Sequence, residues 1–188
     1  MIDETPYRTV EFSKTTLTEL MIPAYANFGG KIHGGILLSL MDKVAYACAA
    51  KHSGNYCVTV SIDNVEFLQP VEVGEMVSMH ASVNHVGNSS LIIGIKVIAE
   101  NFKQGTVKHT NTSYFTMVAK DDNNKPTRVP GLILSNEEEV RRFIEAIKRK
   151  NLMKSYQSEL KQAKNNLIIP TEMNLLQNER CKVEWHVG

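Results

Sequence analysis

Asp42 is the only carboxylate between Glu19 and Asp63, and it stands in an apolar stretch directly after Met41. Asn27 precedes it, and the string from Asn27 to Asp42 reads NFGGKIHGGILLSLMD. His33 lies there between an apolar residue and the Gly34-Gly35 pair. Such a set has the parts needed for acyl transfer to water. A carboxylate can take a proton from the water, and a side-chain amide or backbone N–H groups can hold the oxyanion. Placement of Asp42 among Leu38, Met41 and Ala45 would desolvate it and raise its pKa, as suits a general base. His33 also has the chemistry of a base. A lone histidine beside a turn is more often structural, so it is read as an auxiliary.

The element that must position these groups is a helix. Leu37, Leu40, Val44, Ala47 and Cys48 recur at helical spacing, which predicts a helix from about Gly34 to Lys51. Gly34 and Gly35 fall in its first turn, where free N–H groups carry the positive end of the helix dipole. Without a Cβ, these residues leave the donors open to a ligand oxygen rather than covered by a capping side chain. Ser39, Asp42, Lys43 and Tyr46 share one side of the helix. On periodicity alone that side is equally the wet stripe of an amphipathic helix.

The rest of the chain supplies a sheet. Arg8 to Ile22 alternates well enough for one strand, closed by Pro23, and residues 25–31 form a glycine-bearing loop. After the stop signal His52-Ser53-Gly54-Asn55 come four strand-length segments: Tyr56 to Leu68, Met76 to Val86, Leu91 to Phe102 and Val107 to Ala119. In the first, Val58, Val60 and Ile62 lie on one face but Val65 and Phe67 on the other, which predicts a bulge at Asp63-Asn64. Short turns between consecutive strands imply antiparallel pairing. The apolar face of such a sheet needs a cover, and the long apolar helix is the one available. The fold class is therefore α+β, an antiparallel five-stranded sheet wrapped around one long helix.

Beyond Pro130 the character changes. Ser135 and Glu138 read as a capping box, and Val140, Phe143, Ile144 and Ile147 as the apolar face of a C-terminal helix. Glu137 to Glu139 at its start and Lys148 to Lys150 at its end match the helix dipole. From about Ser155 the chain is polar with weak periodicity. Leu167 to Pro170 and Val183 to Val187 are expected either to pack on a neighbouring subunit or to be disordered. This divides the 188 residues into a domain at 8–130 and an extension at 131–188.

Composition excludes several classes. A net charge of +1 argues against a nucleic-acid partner, and 43% hydrophobic residues suffice for a real core. There is no apolar run of membrane-spanning length and no signal peptide in MIDETPYRTVEF. Cys48, Cys57 and Cys181 read as buried thiols of a reducing compartment, and the six histidines show no zinc spacing. A cytoplasmic protein without metal or cofactor is expected.

The string N-x-x-G-x-I-H-G-G, followed by M-D, resembles the acyl-CoA thioester hydrolase branch of the hotdog-fold superfamily, which contains the YciA-like bacterial enzymes and the brain-type acyl-CoA hydrolases. Asn27, Gly30, Ile32, Gly34, Gly35, Met41 and Asp42 carry the match, and the resemblance covers about residues 8 to 130. It implies that Asn27 and Asp42 are the catalytic pair, supplied by different protomers of an obligate dimer that often assembles into a trimer of dimers. The backbone N–H groups of His33, Gly34 and Gly35 would hold the thioester oxygen. Asp42 would act as base or as nucleophile through a mixed anhydride, and the residues leave both open. Gly87-Asn88-Ser89-Ser90 resembles the family's V-G-x-S-S turn, which implies contact with coenzyme A phosphates. Asn88 stands where the family often has arginine, and Arg128 is expected to compensate. The implied activity is hydrolysis of fatty acyl-CoA to free acid and coenzyme A. A hotdog hydratase or dehydratase and a silent acyl-CoA sensor are the competing readings. The first would need a His with an acidic partner on a β-hydroxyacyl group, and the second a DNA-binding module for which 188 residues leave little room.

Overall fold

The structure, a computed structural model, describes residues 6–184. Five antiparallel strands form the main sheet: β2 (Thr15–Leu20), β3 (Tyr56–Ile62), β4 (Met76–Val86), β5 (Ser90–Asn101) and β6 (Thr106–Lys120). Their spatial order is β2-β4-β5-β6-β3, so β2 and β3 are its edges. The long helix α2 (Gly34–Ser53) packs on one face. The hotdog architecture expected from the strand order is the one observed.

Alternation produces the core. Val77, Met79, Ala81 and Val83 of β4 and Leu91, Ile93, Ile95 and Val97 of β5 turn one face to α2 and are buried. From the helix, Leu37, Leu40, Met41, Val44, Ala45, Cys48 and Ala49 meet them. A fully buried side chain of this kind contributes about 2 kcal/mol. Ser39, Asp42, Lys43 and Tyr46 lie exposed on the opposite side of the helix. The helix runs two residues past the expected Lys51. It stops where Gly54, at φ +74°, turns left-handed and donates its N–H to the Ala50 carbonyl.

Three elements differ from expectation. The single strand over 8–22 is instead β1 (Tyr7–Thr9), the short helix α1 (Val10–Ser13) and β2. Thr9 caps α1 through its hydroxyl, which accepts from the Phe12 N–H at 3.2 Å. β1 leaves the main sheet to pair in parallel with β7 (Gly131–Ile133), a partner that no local alternation reveals. The strand expected over 56–68 ends at Ile62, and its irregularity falls between Thr59 and Ser61 rather than at Asp63-Asn64. Residues 63–68 continue beside β6 through single bonds, Asp63 N–H to the Tyr114 carbonyl and Leu68 N–H to the Thr110 carbonyl.

The C-terminal helix α3 (Glu137–Asn166) is thirty residues long. Its capping box sits one residue later than expected. Asn136 Oδ1 accepts from the Glu139 N–H, and Glu139 Oε2 accepts from the Ser135 N–H. The buried face also differs from the expected one. Ala146 and Glu139 are buried, whereas Val140, Ile144 and Ile147 are exposed. Phe143 stacks near His85 of β4 at 4.8 Å between ring centroids.

The chain divides into two compact units, Met1–Ala146 and Ile147–Gly188. In the second, residues 155–166 are helical, followed by α4 (Ile169–Glu172) and a 3₁₀ turn over Met173–Leu176. Leu167, Ile168, Ile169 and Val183 are exposed, and residues 185–187 of the expected packing segment lie outside the described residues. Among the described residues, no helix is long and apolar enough to cross a membrane.

Candidate active site

The loop that carries Asn27 is built by that residue's own side chain. Asn27 Oδ1 accepts from the N–H groups of Gly29 at 2.9 Å and Lys31 at 3.2 Å. The Asn27 N–H donates to the Lys31 carbonyl, and Gly30 closes the turn at φ +79°, a conformation that favours glycine. Its carbonyl side is thus consumed in folding the loop. The Nδ2 donor has no partner among the described residues. Ile32, buried in the core, and the bond from the His33 N–H to the Tyr25 carbonyl anchor the far end of the loop.

His33 then starts α2 as its cap, and this corrects the expectation of an uncovered helix start. Its Nδ1 accepts from the Gly35 N–H at 2.9 Å, so one of the first-turn donors is already taken. Accepting at Nδ1 leaves the proton of the neutral ring on Nε2. A Cβ on Gly35 would lie 3.0 Å from His33 Nδ1, and one on Gly34 would lie 3.3 Å from the Phe67 ring. Side chains therefore pack closely against both glycines. The Gly34 N–H has no partner among the described residues.

Two helical turns on, Asp42 projects from the exposed side of α2. The expected desolvation by Leu38, Met41 and Ala45 therefore has no source within one chain, since Met41 and Ala45 are buried on the other side. What holds Asp42 is Thr59, whose hydroxyl donates to Oδ1 at 2.5 Å. Thr59 was not read from the sequence as a site residue. Cys57 and Thr59 face α2, while Val58 and Val60 point away, and the register shift after Thr59 is the kind that re-aims a side chain. A polar residue on the helix-facing parity of a strand was the available signal.

Asn27 and Asp42 share no hydrogen bond among the described residues. Eight residues of helix between Gly34 and Asp42 amount to a rise of about 12 Å. Burial pushes the Cys48 thiol up to about 12 and pushes the Cys57 thiol up as well, so neither supplies a thiolate near neutral pH. Both are buried as expected, but Cys181 is exposed.

The segments expected at coenzyme A phosphates come together. In the β4–β5 turn the Gly87 N–H donates to the Ser90 carbonyl at 2.7 Å. The Asn88 carbonyl accepts from the Val129 N–H and the Ser89 carbonyl from the Ala119 N–H, both at 2.9 Å. Arg128 is exposed immediately before Val129. Leu91 pairs with Met117 and Met117 with Thr59, so the turn begins about 10 Å, two strand spacings, from Thr59.

An antiparallel five-stranded sheet curled on one long helix defines a hotdog fold. Comparison with known proteins is specific. A model of the thioesterase superfamily matches residues 29–118. The chain is 44% identical over 144 residues to protein VdlD of Helicobacter pylori, spanning 77% of this chain and 82% of that one. It is 36% identical over 153 residues to the uncharacterized acyl-CoA thioester hydrolase YkhA of Bacillus subtilis, spanning 81% and 89%. An apo-hexameric acyl-CoA thioesterase superposes with a TM-score of 0.78 at 35% identity, covering 81% of this chain and 97% of that one. An acyl-CoA hydrolase of Staphylococcus aureus, solved with butyryl coenzyme A, coenzyme A and coenzyme A disulfide, gives 0.77 at 29%, covering 85% and 98%. That enzyme has also been solved with an aspartate, an asparagine or a threonine replaced by alanine. The chain belongs to the hotdog-fold acyl-CoA thioester hydrolases of the thioesterase superfamily, and it is an enzyme of that class.

Proposed function

We propose that this hydrolase cleaves fatty acyl-CoA in the cytoplasm by a water that Asp42 activates. The observation that carries the reading is the bond from Thr59 to Asp42 Oδ1, which fixes the carboxylate and leaves Oδ2 to accept from water. Asp42 takes the water's proton as the hydroxide adds to the thioester carbonyl. The tetrahedral oxyanion rests on the Gly34 N–H and the Asn27 Nδ2. It collapses with cleavage of the C–S bond, and the proton held by Asp42 passes to the departing thiolate. Every step uses side chains, backbone and water, so no metal or cofactor is required. His33 aims the helix start rather than acting as base. Residues 87–90 and Arg128 meet the phosphates of coenzyme A.

The site is completed by a second copy. A helix rise of about 12 Å separates Gly34 from Asp42 along one chain, and Asn27 and Asp42 are both exposed. β3 is an edge strand whose Val60 and Ile62 are 55% and 42% exposed, and Phe28 beside Asn27 is fully exposed. Pairing of two such edges would cover these residues and bring one protomer's Asn27 to its partner's Asp42. The hexameric relatives support further assembly as a trimer of dimers.

An acyl-CoA panel with a thiol reagent tests the chemistry. Wild type is expected to release coenzyme A catalytically. Asp42→Asn should lose about 10³-fold or more in kcat, the scale of general-base catalysis, with unchanged native mass. A variant within a few-fold of wild type removes Asp42 from the mechanism.

A further inference from the structure

The chain's charge is unevenly distributed. The whole sequence carries a net +1, but residues 147–166 hold six basic residues and one acidic residue, an excess of five. The remaining residues therefore carry a net of four negative charges. The first half of α3 consumes its charges internally, with Glu138 bound by Arg141 and Arg142, and Arg141 bound again by Glu145. The second half does not. Lys150, Lys154, Lys161 and Lys164 have no ion pair or hydrogen bond among the described residues.

Beside these lysines runs an apolar line. Leu152, Tyr156 and Leu160 are 70%, 58% and 40% exposed. At 100° per residue they fall, with Ala163, within an arc of about 80°, and the four lysines occupy a neighbouring arc of about the same width. Past the helix end, Leu167, Ile168 and Ile169 are exposed as well. Apolar side chains aligned in this way on a water-facing helix mark an interaction surface. The excess of positive charge selects the partner. Two copies of this segment would repel each other, whereas an anionic surface attracts it.

We infer that residues 147–169 form a basic amphipathic segment that docks on an anionic lipid bilayer. Leu152, Tyr156 and Leu160 enter the boundary between headgroups and acyl chains, and the lysines reach the lipid phosphates. This would hold the enzyme at the surface into which long-chain acyl thioesters, being amphiphiles, partition. The inference stands apart from the proposed mechanism, because its readout is binding rather than turnover.

Flotation of the full chain with vesicles tests it. Equimolar phosphatidylcholine and phosphatidylglycerol should carry the protein upward, phosphatidylcholine alone should not, and added salt should release it. The Leu152→Ser/Tyr156→Ser/Leu160→Ser variant and the Lys154→Glu/Lys161→Glu variant should each lower the partition coefficient about tenfold or more. Turnover of a short, water-soluble acyl-CoA should be unchanged in both. Failure of wild type to bind the anionic vesicles overturns the inference, as does binding that both variants retain. A serine variant with reduced native mass and unchanged vesicle binding would also overturn it, by assigning the face to a joint between copies.

Discussion

Thr59 and Asp42 meet across the packing of a strand on a helix, and the contact is directional: the hydroxyl donates and one carboxylate oxygen is occupied. Thr59→Val keeps the shape of the side chain but removes that donor. It should lower kcat about tenfold, the order expected for a charge-assisted hydrogen bond, with little change in KM. Thr59→Ser should restore most of the loss, and equal turnover by all three proteins would mean that Thr59 only packs. Asn27→Ala should cost about 10²-fold or more, the scale for one oxyanion donor. Arg128→Ala should raise KM for acyl-CoA far more than it lowers kcat, because phosphate contacts are the same in ground and transition states. An acyl-pantetheine substrate, lacking the nucleotide, should barely respond; comparable damage on both substrates would make the arginine structural. At this scale the sequence offers a candidate site where one contiguous string holds the residue types, as from Asn27 to Asp42. Thr59 was hidden because its bond to Asp42 exists only once β3 and α2 are side by side. The His33 cap was hidden because a histidine before two glycines also fits an open helix start.

Among the elements, α2 has a buried titratable group at its C-terminal end. His52 is fully buried, its Nε2 lies 3.2 Å from the Pro130 carbonyl, and its Nδ1 has no hydrogen-bond partner among the described residues. Burial holds its pKa below the usual histidine range, opposed in part by the bond to Pro130 and reinforced by Arg8 nearby. The folded pKa thus lies below that of the unfolded chain, about 6.5. Between the two values the unfolded chain binds a proton that the folded chain does not. The stability from this group is therefore complete above about pH 6.5 and is lost as pH falls towards the folded value. Thermal melts from about pH 7.5 down to about 5.5 should show Tm falling more steeply for wild type than for His52→Gln. Parallel slopes would remove His52 from the pH response. The elements read correctly from sequence, α2 and β4 to β6, are those with long, strong periodicity. β1 and β7 were not legible, since three residues near the start gain strand geometry only from residues 131–133. The cap of α3 was not legible because Ser135 and Asn136 are adjacent residues of capping type, and Asn136 is the one whose side chain accepts from the helix.

For the whole molecule the question is whether one chain contains a complete site. In a single chain the proposed donor Asn27 and base Asp42 share no hydrogen bond among the described residues, and both are exposed. One chain buries the core-facing apolar residues of the helix, while Tyr46 stays 41% exposed on the Asp42 side. A partner protomer against that side would bury the remainder and supply the desolvation of Asp42 that one chain lacks. No pattern within a single sequence states this, because a residue that meets a partner and a residue that meets water look alike. The proposal predicts rescue between two inactive proteins. Asn27→Ala and Asp42→Asn subunits, mixed, dissociated and reassembled, should pair at random, putting about half of the dimers in the mixed state. Each mixed dimer has one site with both residues intact and one with neither. About a quarter of wild-type activity should then return, if the two sites act independently. Native mass measurements establish that subunits have exchanged. With exchange established, absence of recovery would mean that each protomer carries its own complete site and that Asn27 and Asp42 do not act on the same thioester across an interface.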